Sequence, residues 1–247
     1  MTEVSPPDVI LLRSPEDPDP YVDALADAGF RAVCRPVLDF HFPADGILHE
    51  RLRSPAEYEG LIATSPRAAR ALRRVFDANG TLHAEWEGTP VYVVGPKTAE
   101  RFRDLSFDVR GADTGNAEEL VSVLADADPS SPLLFLSGDR RRDTLPEGLR
   151  AAGISFTEEV VYETRPRTDL TLPPSDGETW LVFFSPSGLE ALRASGVEAL
   201  AEYRIATIGP TTAAELQDDG VDVEAVADVP SAGGVADAVI GAFGRSA

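Results

Sequence analysis

Short apolar runs alternate with amphipathic helical segments along the whole chain, and this alternation narrows the fold more than any other feature. The strand-like runs are Val9–Leu12, Ala32–Arg35, Leu61–Ala63, Val91–Val94, Phe107–Val109, Leu133–Leu136, Phe156–Tyr162, Leu181–Phe184, Ile205–Ile208 and Val221–Ala227. Helical periodicity fills most of the intervals, as in Ala68–Phe76, Thr98–Leu105 and Thr211–Leu216. Runs that are short and apolar on both sides suit parallel strands covered by helices on both faces. The class is α/β, and the number of runs suits two five-stranded sheets better than one.

The chain also repeats itself. Leu61-Ile-Ala-Thr-Ser-Pro-Arg-Ala followed by Val91-Tyr-Val-Val-Gly-Pro-Lys-Thr-Ala99 is echoed by Val182-Phe-Phe-Ser-Pro-Ser-Gly-Leu189 and Ile205-Ala-Thr-Ile-Gly-Pro-Thr-Thr-Ala213. A weaker echo joins Ile10–Val33 to Leu134–Val160. Three soft stretches offer domain boundaries: Asp126–Pro132, Leu38–Pro43 and Arg165–Gly177. Cutting at the first gives two consecutive domains; cutting at the other two inserts one domain into the other. Patterning leaves both open.

Charge restricts the partners. Forty-two acids against 22 bases give a net charge of −20, and Lys97 is the sole lysine. A field this negative repels phosphate backbones, so nucleic acid is not expected as a partner. The acids are spread through the chain, and with lysine so depleted we read them as a shell adapted to high salt, where screening lengths of roughly 3 Å at 1 M suppress self-repulsion. Unfolding midpoints should therefore rise from low to molar salt; a midpoint indifferent to salt would refute this. No apolar run is long enough to span a membrane. Met1–Asp8 lacks the charge and apolar stretch of a secretory signal, so a cytoplasmic location is expected. The single cysteine, Cys34, excludes an internal disulfide and reads as a core residue.

Five strand ends run into one device, a small or polar residue, then proline, then a helix: Ser14-Pro15, Ser65-Pro66, Gly95-Pro96, Ser185-Pro186 and Gly209-Pro210. Serine is a good N-cap and proline suits the first helical turn. Gly138 forms a sixth turn without proline. In a parallel sheet these turns lie at the carboxyl ends of the strands, where free backbone N–H groups and a partial positive charge can hold carboxylates. Each alone is merely a good helix start; six together point to a polyanionic ligand. Arg13, Arg67 and the run Arg140-Arg141-Arg142 are the guanidinium candidates for such a ligand. The histidines His41, His49 and His83 have no metal-ligand spacing and read as surface residues in linkers or loops. No phosphate-binding glycine motif or serine-nucleophile elbow is present.

Asp19-Pro-Tyr-Val22, Gly60-Leu-Ile-Ala-Thr-Ser-Pro-Arg-Ala-Ala69, Val91-Tyr-Val-Val-Gly95, Gly115-Asn-Ala-Glu118, Val161-Tyr-Glu-Thr164, Phe183-Phe-Ser-Pro-Ser-Gly-Leu189 and Ile208-Gly-Pro-Thr-Thr-Ala213 together resemble the uroporphyrinogen-III synthase family, in order from Val9 to Val239. The resemblance implies two flavodoxin-like α/β domains joined by a two-stranded antiparallel linker. Residues 1–37 with 168–247 would form one, 44–159 the inserted other, and 38–43 and 160–167 the linker strands. It implies a cofactor-free cyclisation of linear hydroxymethylbilane to uroporphyrinogen III, with loss of water and inversion of ring D through a spiro intermediate, in tetrapyrrole (heme) biosynthesis. The substrate's eight carboxylates suit the polyanion reading. By resemblance Tyr162 assists departure of the hydroxyl. Thr64, Ser65, Thr98, Ser185, Ser187, Thr211 and Thr212, the turns at Gly95, Gly138 and Gly209, and Arg13, Arg67 and Arg141 would bind substrate. A monomer is implied, with transient handover from hydroxymethylbilane synthase. The competing reading is a non-catalytic two-domain protein that binds an anionic tetrapyrrole-like ligand.

Overall fold

The computed structural model describes residues 8–43, 46–175 and 177–243; most of the N-terminal segment read above for a signal lies outside them. In chain order the elements are β1 (Val9–Leu12), α1 (Pro20–Asp27), β2 (Ala32–Cys34), β3 (Leu38–His41), α2 (Gly46–Leu52), β4 (Gly60–Ala63), α3 (Pro66–Ala78), α4 (Gly80–Trp86), β5 (Pro90–Val93), α5 (Pro96–Arg103) and β6 (Asp108–Arg110). There follow α6 (Ala117–Ala127), β7 (Leu133–Gly138), α7 (Thr144–Ala151), β8 (Phe156–Pro166), β9 (Trp180–Phe183), α8 (Ser187–Ala194), β10 (Arg204–Thr207), α9 (Pro210–Asp218), β11 (Ala225–Val226) and α10 (Ala232–Phe243). The chain separates into two compact units, residues 1–39 with 165–247, and residues 40–164.

The first unit carries a five-stranded sheet in the order β11-β10-β9-β1-β2, and its pairings are parallel. Its central strand explains why such runs read as continuously apolar. Ile10 and Leu12 enter a cluster with Leu181, Phe183 and Leu192 on one face. Val9 and Leu11 enter another with Trp180, Val182 and Val239 on the opposite face. A strand buried on both faces has no polar side to alternate with.

The second sheet has the order β3-β8-β7-β4-β5-β6, one strand more than the sequence suggests. The pairings β8–β7, β7–β4, β4–β5 and β5–β6 are parallel. The extra strand is β3, which lies beside β8 in a stretch that patterning reads as a soft boundary and the resemblance as a linker strand. β8 continues past Tyr162 to Pro166, so the tyrosine sits within a strand rather than at its exit.

In both sheets the chain adds strands in one direction and then returns to the other side of the first. The reversal falls between β1 and β9 in the first sheet and between β4 and β7 in the second. Loops leave the two strands in opposite directions there, opening a crevice at the carboxyl ends.

Three local expectations change. Ser14-Pro15 does not start a helix; α1 begins at Pro20, capped by Asp19, whose carboxylate accepts from the N–H groups of Tyr21 and Val22. The carboxylate is the better cap because it also takes the Arg13 guanidinium. Val221–Ala227 shrinks to the two residues of β11, since Val221 and Val223 turn into the core as loop residues. His49 and His83 lie on helices α2 and α4, not in loops. His83 stacks on Phe76 at 4.9 Å, and its Nε2 lies 3.0 Å from the Leu105 carbonyl.

Candidate functional site

The second unit places most of the nominated residues along the carboxyl ends of its sheet. Ser65 leaves β4 in extended conformation and its hydroxyl accepts from the Arg67 N–H, which starts α3 with Pro66 in the first turn. Gly95 leads into α5 at φ 80°, a left-handed value that favours glycine, and Pro96 follows. Thr98 is the third residue of α5 and is 3% exposed. Asn116 caps α6 through the Glu119 N–H at 2.9 Å, while Glu119 reaches back to the Gly115 N–H at 2.7 Å. Sequence reasoning did not nominate Asn116, although the Asn-x-x-Glu spacing was legible as a capping box.

A cavity of about 420 Å³ opens at these strand ends, beside the β4–β7 reversal. Thr64, Asn116, Arg141, Arg142, Thr144 and Tyr162 contribute to its lining. Tyr162 is half-buried and is brought there by a β-bulge. The β7–β8 register runs regularly to Ser137↔Val160 and then skips to Gly138↔Tyr162. The skipped residue, Val161, is buried in the core, and the bulge re-aims its neighbour. The ring of Tyr162 lies where a side chain at residue 138 would be: a Cβ on Gly138 would sit 2.3 Å from Cζ and 2.5 Å from the hydroxyl oxygen. Its edge meets Phe40, with ring centroids 6.4 Å apart. Within the described residues the phenol makes no hydrogen bond, so it remains available to a ligand.

Arg67 lies with its guanidinium 3.6 Å from the Phe40 ring centroid. Burial holds its pKa below the ordinary arginine value, and the nearby Tyr162 opposes that shift. It has no ion-pair partner among the described residues. Arg141 differs. Its Nε and Nη2 grip Glu158 at 2.6 and 2.9 Å, and a third nitrogen meets Asp143. Hydrogen bonds to these carboxylates raise its pKa, and Arg141 in turn lowers that of Glu158. The fork expected to clamp substrate is thus filled by the protein's own carboxylates, which secure the β7–α7 turn. Arg142 lines the same cavity and carries no ion pair among the described residues.

The first unit repeats the arrangement at its own strand ends. Ser185 and Ser187 share a hydrogen bond of 2.6 Å at the start of α8. Gly209 precedes α9, Thr211 is exposed, and Thr212 is 7% exposed in the first turn. Arg13 follows β1 beside the strand reversal, 5.4 Å from the Phe184 ring centroid. It donates to Asp19 at 2.9 and 2.7 Å and to Glu16 at 3.2 Å, so it too is engaged. A depression of about 770 Å³ beside Tyr203 and the C-terminal ends of α8 and α9 contains none of the nominated residues.

Asp19 ties this loop together. Burial pushes its pKa up, but hydrogen bonds from the Glu16 and Val22 N–H groups and the Cys34 thiol, together with Arg13, outweigh that and hold it below the usual carboxylate range. Cys34 is correspondingly pushed up to about 11, first by burial and then by Asp19, which leaves its thiol inert rather than nucleophilic. A depressed folded pKa gives stability that is present above the unfolded value near 4 and is lost as pH falls through the folded one. Asp19→Asn should therefore lower stability by about 1–2 kcal/mol at pH 7, through the charge-assisted hydrogen bonds it weakens, and flatten the loss as pH falls below about 4. Urea unfolding at pH 7 and at pH 3 reads this; an equal deficit at both would show that charge is not involved.

Among the described residues, no group of three His, Cys, Asp or Glu side chains is placed to hold a metal ion, and no helix is long and apolar enough to cross a membrane.

Comparison with known proteins places this architecture. The family model for uroporphyrinogen-III synthase HemD matches residues 19–237. The chain is 28% identical to uroporphyrinogen-III synthase of Schizosaccharomyces pombe, over 94% of this chain and 95% of that one. It is 32% identical to uroporphyrinogen-III synthase of Saccharomyces cerevisiae, over 72% of this chain and 74% of that one. The crystal structure of uroporphyrinogen-III synthetase from Helicobacter pylori superposes with a TM-score of 0.63 at 22% identity, covering 97% of this chain and 99% of that one. Two parallel α/β sheets, each with helix starts at a strand reversal, thus coincide with a family match over most of the sequence, and the chain belongs to the uroporphyrinogen-III synthase family.

Proposed function

We propose that this chain is an active uroporphyrinogen-III synthase that closes hydroxymethylbilane to uroporphyrinogen III in tetrapyrrole biosynthesis. The observation that carries the proposal, beyond family membership, is the phenol of Tyr162, set over Gly138 by the β7–β8 bulge, lining the cavity and without a hydrogen bond among the described residues.

The chemistry asks for a proton and for placement. A pyrrole nitrogen pushes out the terminal hydroxyl, the C–O bond breaks, the oxygen leaves as water with a proton from the Tyr162 hydroxyl, and the pyrrole N–H proton of the cation so formed returns to the phenolate. Left to itself, the resulting azafulvene closes to the symmetric type I isomer. Type III requires the substituted carbon of ring D to attack first, giving the spiro intermediate that then rearranges. That is a demand on orientation, which fixed carboxylate contacts meet by holding the ring in a reactive geometry. Backbone N–H groups at the starts of α3 and α5, with Arg67 and Arg142, are the groups of the second unit suited to those contacts, and the starts of α8 and α9 offer the same kind of group within the first unit. The chain would act as a cytoplasmic monomer, receiving its labile substrate directly from hydroxymethylbilane synthase.

The decisive assay generates hydroxymethylbilane in situ from porphobilinogen, adds this protein from low to molar salt, and separates the oxidised uroporphyrins. Type III should dominate, with activity rising with ionic strength as repulsion between the acidic surface and the octa-anion is screened. Type I alone at every salt, from folded protein, would identify a binding relative that lacks the chemistry.

A further inference from the structure

Among the described helices, α3 is the most basic in an acidic chain. α3 carries Arg67, Arg70, Arg73 and Arg74 against a single acid, Asp77, in a protein of net charge −20. Spacings of three and four residues place Arg67, Arg70 and Arg74 along one helical face. That face runs beside Phe40 and Phe42, whose alternate positions put them on the same side of the β3 segment. The guanidinium of Arg67 lies 3.6 Å from the Phe40 centroid, that of Arg70 4.8 Å from Phe42, and that of Arg74 5.5 Å from Phe42.

Two features of this row combine. None of the three arginines has an ion pair among the described residues, whereas Arg13, Arg141, Arg167 and Arg204 are each satisfied by carboxylates. A guanidinium held over an aromatic face is restrained while its N–H groups stay free to donate. Arg70 and Arg74 are exposed, and a hollow of about 510 Å³ opens beside Arg74, Phe42, Ala71 and Val75. The row therefore joins an apolar hollow to the half-buried Arg67, whose guanidinium lies over Phe40, the ring that also packs against Tyr162.

We propose that the Arg67–Arg70–Arg74 face of α3 is a carboxylate track that binds the side chains of a polycarboxylate tetrapyrrole outside the Tyr162 cavity. Its occupant is identified by charge complementarity: spaced, preoriented guanidinium forks match carboxylates on successive pyrroles, and the apolar hollow matches a pyrrole face. The reading rests on the proposed function for the identity of the polyanion. In a molecule whose overall field opposes such a ligand, a local cationic row is what permits capture at low ionic strength.

Fluorescence anisotropy of uroporphyrin III, a stable octacarboxylate, titrated with the full chain tests this without requiring turnover. Arg70→Ala with Arg74→Ala should weaken binding about tenfold at low ionic strength, the gap closing toward molar salt. Arg53→Ala with Arg103→Ala removes the same charge from exposed positions elsewhere and should change binding less than twofold. Arg70→Lys with Arg74→Lys should keep only part of the wild-type affinity, because an ammonium lacks the planar fork. Equal weakening by both alanine pairs, or no binding of uroporphyrin by the wild type, would overturn the track. Track-dependent binding by a wild type that forms no type III isomer would uphold the track and overturn the synthase reading.

Discussion

Tyr162→Phe is expected to lower kcat by about 10²- to 10⁴-fold, the range associated with removing a positioned general acid. The change deletes one oxygen from a half-buried ring whose hydroxyl makes no hydrogen bond among the described residues, so the fold loses little. Packing of the ring against Phe40 is retained. Affinity for uroporphyrin III should stay within about twofold, since the carboxylate contacts come from other groups. Spontaneous closure in solution then outruns the enzyme, and type I rises at the expense of type III. Quench-flow measurement of single turnovers, with isomer analysis of the same samples, reads both effects. A kcat within threefold of wild type would remove Tyr162 from the role of proton donor.

Gly138→Ala is expected to be nearly as damaging through a different route. A Cβ at this position would lie 2.3–2.5 Å from Cζ, Cε2 and the hydroxyl oxygen of Tyr162, so the ring must move. Gly138 is not among the residues with positive φ, and alanine therefore brings no intrinsic backbone strain. The cost falls on placement of the phenol, and a displacement near 1 Å is enough to lose about 10²-fold in rate. The double variant separates placement from general damage. If Gly138→Ala acts by moving the Tyr162 hydroxyl, it should cost less than about threefold when added to Tyr162→Phe. Additive losses would mean that the β7–α7 turn itself had been disrupted.

The Gly138–Tyr162 pair shows where reading from the sequence reaches its limit. Both residues were nominated separately, the glycine as a turn and the tyrosine by family resemblance. Their contact depends on a bulge between strands that patterning cannot register, because Val161 and Tyr162 both suit a strand. Arg141 shows the same limit. The residue was visible as part of a basic run, but its partner Glu158 is one of many glutamates until β8 is laid beside β7. The aromatic seats of Arg70 and Arg74 were invisible because Phe42 lies in what read as a linker.

Helix α4 has no local signal in the sequence. Asn79-Gly80 reads as the end of α3, and it does end α3, but a second short helix begins at once. Its existence depends on Trp86, fully buried with its indole N–H donating to the Leu52 carbonyl at 2.8 Å. That is a tertiary contact between residues 34 apart in the chain, and no short window of sequence contains both ends.

What the sequence alone determined was the α/β class, most of the strands, and the helix starts at Ser65, Gly95, Ser185 and Gly209. Each depends on interactions within a few residues: burial on both faces makes a strand apolar throughout, and proline after a small or polar residue favours a helical first turn. Only the tertiary structure decided the strand order, the reversals beside β1 and β4, the bulge that seats Tyr162 on Gly138, and which arginines were left open. These depend on residues that are distant in the chain and meet through strand register and packing, where a shift of one residue exchanges the buried and exposed faces.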